Sequence, residues 1–176
     1  PQAILGVLAV IFVCLHDEIQ HWFSFDLVDG LLTLSILLLI VTVFSRNSFN
    51  YDKAAFVLFS VFYVSFPFML FSKVRDEHGL ALILFILVLI WSADSGAYFV
   101  GRKLGKHKLA PHISPNKTIE GIIGGVVSAL IISFIFQWIV DFSDPFTSLR
   151  LIVMTLLIAI FGPIGDLAES ALKRHY

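Results

Sequence analysis

Four carboxylates, Asp94, Glu120, Asp166 and Glu169, lie within long apolar runs of this chain. An ionised carboxylate in hydrocarbon costs several kcal/mol unless it is paired, hydrated or metal-bound, so such residues default to a functional reading. Near them stand the cations Arg102, Lys117, Lys173 and Arg174 and the hydroxyls Ser114, Thr118 and Ser170. Asp166 and Glu169 are spaced i, i+3, with Ser170 at i+4 and Lys173 at i+7, which puts them on one helical face. Two carboxylates one turn apart can hold a hard divalent cation through oxygen, and Mg2+ keeps waters and takes substrate phosphates as further ligands. The alternative is an acidic pair neutralised by Lys173 and Arg174 where the helix leaves the membrane.

Asp94 has Trp91 at i-3, Tyr98 at i+4 and Arg102 at i+8, a polar stripe that could face a cavity. Its alternative is a simple pairing with Arg102 or Lys103. The segment from Gly101 to Lys117 carries five Lys or Arg residues, His107 and His112, and its backbone is shaped by Gly101, Gly105, Pro111 and Pro115. Such a loop suits a phosphorylated headgroup or a nucleoside triphosphate, or else it only sets topology and touches anionic lipid. Ser114-Pro115-Asn116-Lys117-Thr118-Ile119-Glu120 sharpens the choice: Thr118 can cap a helix whose positive end suits Glu120. Lys117 is misplaced at such an end unless an anion shares the site.

These groups must be positioned by helices. With 58% hydrophobic and 14% charged residues and a mean hydropathy of +0.92, the chain is too apolar for a soluble domain. Apolar runs at roughly 2–15, 27–45, 54–72, 79–100, 118–140 and 149–172 predict about six transmembrane helices of about 20 residues each. The fold class expected is therefore an all-α polytopic bundle forming a single transmembrane catalytic domain over 1–176, since the runs lack the alternation of a membrane barrel. Gly162-Pro163-Ile164-Gly165 is expected to break or bend the last span just before Asp166. Gly121, Gly124, Gly125 and Ser128 form a small-residue face for close helix packing, within the chain or in a homodimer.

The two basic connections at 46–53 and 101–117, with the C-terminal end, hold nine of the twelve Lys and Arg residues. The positive-inside rule puts them in the cytoplasm of a cell-membrane protein, and the four carboxylates toward that side. A net charge of -1 argues nothing about nucleic acid, because in a membrane protein the informative quantity is the side on which each charge lies; no nucleic-acid partner is expected. The lone Cys14 excludes an internal disulfide or cysteine metal cluster, and the scattered histidines show no metal-ligand spacing. No charged leader precedes the first apolar run, so a signal peptide is not expected.

Three segments carry a resemblance: Asp94-Ser95-Gly96-Ala97-Tyr98-Phe99-Val100-Gly101-Arg102, Ile113 to Gly121, and Gly165-Asp166-Leu167-Ala168-Glu169-Ser170-Ala171-Leu172-Lys173-Arg174. In order and spacing they resemble the phosphatidate cytidylyltransferases, the membrane CDP-diacylglycerol synthases. The resemblance implies transfer of a cytidylyl group from CTP to phosphatidic acid, with Mg2+, alone or beside a second metal ion. It implies catalytic roles for Asp94, Lys117, Glu120, Asp166, Glu169, Lys173 and Arg174, with Asp166 and, more weakly, Glu169 as metal ligands. Arg102, Ser114, Asn116, Lys117, Thr118 and Ser170 would bind substrate. The family signature continues into a Lys-Asp pair and a His-Gly-Gly-x-x-Asp-Arg segment beyond Tyr176, and the family has further N-terminal spans. The chain is thus expected to be cut at both ends, with an incomplete metal site. A CTP-dependent polyprenol or phytol kinase and an ion-coupled transporter remain as alternatives. Against transport, the acids gather on one side and no inverted repeat is evident.

Overall fold

A computed structural model describes residues 6, 7, 10, 11, 27–45, 49–140, 142 and 146–175. Most of the expected span at 2–15, with Cys14, lies outside the described residues, as do Arg46, Asp141 and Asp144. Among the described residues five helices run in order: α1 (Leu27–Phe44), α2 (Tyr51–His78), α3 (Leu80–Leu104), α4 (Ile119–Ile139) and α5 (Ser148–His175). Two short strands, β1 (Lys108–Ala110) and β2 (Ser114–Thr118), separate α3 from α4. Helices α2 to α5 are long and apolar enough to cross a membrane, and α1 is a shorter apolar helix. The chain is thus an all-α membrane bundle with one small hairpin.

It divides into two units, Pro1–Glu77 and His78–Tyr176. In the first, Leu38, Phe49 and Ala54 are buried against Leu34, Val41, Val57 and Leu58. Val61 packs on Val10, Leu34 and Val57. In the second, α3 and α4 lie along one another and α5 packs chiefly on α4. Lipid tails are as apolar as leucine, so burial of apolar surface does not drive this association; close van der Waals packing and interhelical hydrogen bonds do.

The glycines of α4 make the α3 contact possible. A methyl group added at Gly125 would lie 2.8 Å from the Ala93 carbonyl oxygen, and one at Gly121 would lie 2.9 Å from that of Ala97. Gly96 of α3 is packed against Ser128 in the same way. The small-residue face therefore packs within the chain, which removes the ground on which a homodimer through it was expected. At the other end of the pair, Phe85 meets Phe136 and Phe142 edge-on at 5.4 and 5.5 Å between ring centroids. A polar link joins α4 to α5: Ser133 Oγ and Thr155 Oγ1 are 2.9 Å apart and Gln137 Nε2 donates to Ser133 Oγ at 3.0 Å. Thr155 also donates to the Leu151 carbonyl at 2.7 Å, so a chain of donors ends on backbone.

Two expectations are corrected. The basic segment does not begin as a loop at Gly101, because α3 runs on to Leu104 and is closed by Gly105, whose N–H donates to the Gly101 carbonyl at 3.0 Å. A helical glycine costs only about 1 kcal/mol, and Arg102 and Lys103 in the last turn suit the negative helix end. Of the break or bend expected at Gly162-Pro163-Ile164-Gly165, the break is absent, since Pro163 lies inside a continuous α5. Membrane helices tolerate proline where neighbouring groups satisfy the backbone again.

Candidate active site

The hairpin is where the sequence leaves regular helix and the polar groups converge. Its strands pair antiparallel, with Lys108 opposite Thr118 and Ala110 opposite Ser114. Between those pairs Leu109 faces three residues, Pro115, Asn116 and Lys117, so β2 is bulged. Proline has no N–H to give to a ladder, which favours the bulge at this position. Thr118 then ends the strand and starts α4. Its hydroxyl accepts from the Gly121 N–H at 3.1 Å, the helix cap that the sequence led one to expect.

Beneath the bulge lies a cavity of about 330 Å³ walled by the hairpin, α3, the start of α4 and the middle of α5. Six of the expected site residues line it: Asp94, Ser114, Asn116, Lys117, Thr118 and Asp166. Lys117 is the centre of the arrangement. Its Nζ donates to Asp166 Oδ2 at 2.9 Å and to the Pro163 carbonyl at 3.2 Å, reaching from β2 to α5. Its side chain is 25% exposed and that of Asp166 is 56% exposed, so the pair is open to solvent on the Asp166 side. Asp94 faces the same groups from α3, with Asp166 and Lys117 as its charged neighbours. The conflict of a cation near a helix N-terminus is met here by a carboxylate from another helix.

The other expected residues stand elsewhere. Arg102 donates to the Tyr98 hydroxyl at 3.1 Å instead of pairing with Asp94. Arg174 donates to the His112 carbonyl at 2.8 Å, tying the end of α5 to the hairpin turn. Glu120 turns to the start of the hairpin: its carboxylate accepts from the N–H groups of Lys106 at 3.1 Å and His107 at 3.2 Å, and lies 2.6 Å from His107 Nδ1. Glu169, Ser170 and Lys173 do not line the cavity. The carboxylates that share it are therefore Asp94 and Asp166, from different helices, and not the i, i+3 pair Asp166 and Glu169. Sequence reasoning passed over the Pro163 carbonyl as an acceptor for Lys117, having read Pro163 only as a helix breaker; Tyr98, which also lines the cavity, was visible on the Asp94 stripe.

Among the described residues no group of three or more His, Cys, Asp or Glu side chains is placed to hold a metal. Asp94 and Asp166 on one cavity still fit a cation that needs only one or two carboxylates and completes its shell with water and phosphate. With one lysine, several hydroxyl and amide donors and two carboxylates, the cavity suits a phosphorylated ligand brought together with a divalent cation.

Comparison with known proteins agrees with this chemistry. The phosphatidate cytidylyltransferase of Bacillus subtilis (strain 168) is 45% identical over 162 residues, 88% of this chain and 60% of that protein. The phosphatidate cytidylyltransferases of Staphylococcus haemolyticus and Staphylococcus epidermidis are 43% and 42% identical over 173 residues, 98% of this chain and 65% of each. The chain thus spans 60% to 65% of the length of these relatives. Residues 2–176 match the Cytidylyltransferase family throughout, and with the polar cavity built from the three segments that carry the resemblance, the chain belongs to that family.

Proposed function

We propose that this chain carries the catalytic core of a phosphatidate cytidylyltransferase, which joins the cytidylyl group of CTP to phosphatidic acid and releases pyrophosphate. The observation that carries the reading is Lys117, held over a cavity between Asp166 and the Pro163 carbonyl with Asp94 alongside. A phosphate oxygen of the lipid attacks the α-phosphorus of CTP; the new P–O bond forms as the bond to the β-phosphate breaks, and pyrophosphate leaves with that electron pair. The attacking phosphate is already ionised at neutral pH, so no general base is needed. What the site must supply is alignment and cancellation of anionic charge.

Lys117 would leave Asp166 to clamp the triphosphate, while Ser114, Asn116 and Thr118 donate hydrogen bonds to it. Asp94 and Asp166 would hold Mg2+, which when bound screens the phosphates and draws charge from the leaving group. Arg102, Lys173 and Arg174 do not line the cavity, and their positive charge would raise the local concentration of nucleotide. The Lys and Arg distribution supports a cytoplasmic face for this site in a multi-pass cell-membrane protein. CTP would come from water and the lipid from the bilayer.

A CTP-dependent lipid kinase would use the same charges but move the γ-phosphate. Full-length protein in phosphatidate-containing vesicles, given CTP labelled at the α- or the γ-phosphate, separates the two. The proposal expects α-label in the lipid and γ-label in pyrophosphate. γ-Label in the lipid would identify a kinase, and intact CTP with carboxylate-dependent ion flux a transporter.

A further inference from the structure

Glu120, in the first turn of α4, is not among the residues that line the cavity, and its oxygens turn to the start of the hairpin. They accept from two consecutive backbone N–H groups, those of Lys106 and His107, and meet the His107 ring at 2.6 Å. Next to them the Ile119 N–H donates to the His107 carbonyl at 2.9 Å. These contacts fasten the chain entering β1 to the first turn of α4. The adjoining strand pair is Lys108 with Thr118, and immediately beyond it comes the bulge that holds Lys117. At the far end of the hairpin, Arg174 holds the His112 carbonyl.

A bulge has lost its own ladder bonds, so its side chains take their direction from the frame on either side. The charge-assisted bonds at Glu120 are the stronger part of that frame, being made by an ionised acceptor. We propose that Glu120 is a positioning residue, which fixes the root of the β1–β2 hairpin and so presents the Lys117 ammonium to the anion in the cavity. Glu120 itself touches no substrate. The proposal rests on the cytidylyl-transfer reading for the identity of that anion, and on the geometry alone for the brace.

The test has two arms on the full-length protein in nanodiscs. Without nucleotide, hydrogen exchange is followed for wild type and Glu120→Ala: the Lys106 and His107 amides and the segment through Thr118 exchange faster in the variant, while the α3 and α4 interiors are unchanged. With CTP, Glu120→Ala lowers kcat/KM roughly 10- to 100-fold, the scale of a misplaced catalytic group. In a Lys117→Ala background the same change adds less than about twofold, the non-additivity of residues that act through one another. His107→Ala costs little, since both amide contacts survive it. Glu120→Gln, nearly isosteric, takes the same readouts if the alanine variant does not reach the membrane. A full additive loss in the Lys117→Ala background, or an unchanged hairpin exchange rate, overturns the proposal. Faster exchange in a protein that leaves CTP intact would overturn cytidylyl transfer and leave the brace standing.

Discussion

Lys117→Ala should separate stability from activity. The contact it removes joins Lys117 Nζ to Asp166 Oδ2 at 2.9 Å, with the Asp166 side chain 56% exposed. A pair so open to solvent is worth about 0–1 kcal/mol net, because water screens the charges and two flexible side chains must be ordered. The Pro163 carbonyl, which also accepts from Lys117, is a helix-backbone acceptor, so its loss adds little. Melting should therefore fall by no more than about 4 °C, on the scale of roughly 2–4 °C per kcal/mol for a chain of this size. In cytidylyl transfer the same ammonium would meet the charge of a nucleoside triphosphate in a partly dehydrated cavity. Removing one preorganised donor from such a position costs about 10²- to 10³-fold in kcat. Turnover of labelled CTP and thermal denaturation, run on the same preparation in detergent, would read both. Activity within about threefold of wild type would refute the role given to Lys117. A collapse in melting temperature matching the lost activity would show that the contact holds the fold instead.

Gly125→Ala should destabilise by about 1–3 kcal/mol, because its new methyl group meets the Ala93 carbonyl at 2.8 Å; Gly165→Ala, with open space at its methyl position and no proline after it, should be neutral or slightly stabilising in the same melts. Thr155→Val preserves volume but cuts the Ser133 link between α4 and α5. Its expected cost is about 0.6 kcal/mol, the mean for interhelical hydrogen bonds in a membrane protein, with turnover unchanged; a loss above about 2 kcal/mol would show the link to be worth more than such bonds usually are.

Much of the site was legible because acids within apolar runs have few bland explanations. Asp94 and Asp166 were found that way, and Thr118 was legible as a cap from its place before an apolar run. What joins them was not. Lys117 and Asp166 are 49 residues apart, and nothing local in a sequence records such a pairing. The helical face of Asp166 and Glu169 was read correctly as local geometry, yet the second carboxylate on the cavity comes from α3. The hairpin was hidden by two prolines and the absence of alternation, and it holds together through Glu120, whose partner His107 lies 13 residues upstream. The proline in α5 misled because its isolated preference is to end a helix, whereas in a bundle neighbouring groups can satisfy the backbone it disturbs.

The most direct measurement is the formation of labelled CDP-lipid and pyrophosphate from α-labelled CTP and phosphatidic acid, by the full-length protein, with and without Mg2+, for wild type, Asp94→Asn and Asp166→Asn. The account predicts Mg2+-dependent product from wild type and a loss of at least about 10²-fold in each variant with the fold retained. Full activity in both variants, or product formed equally well after chelation of divalent cations, would contradict it.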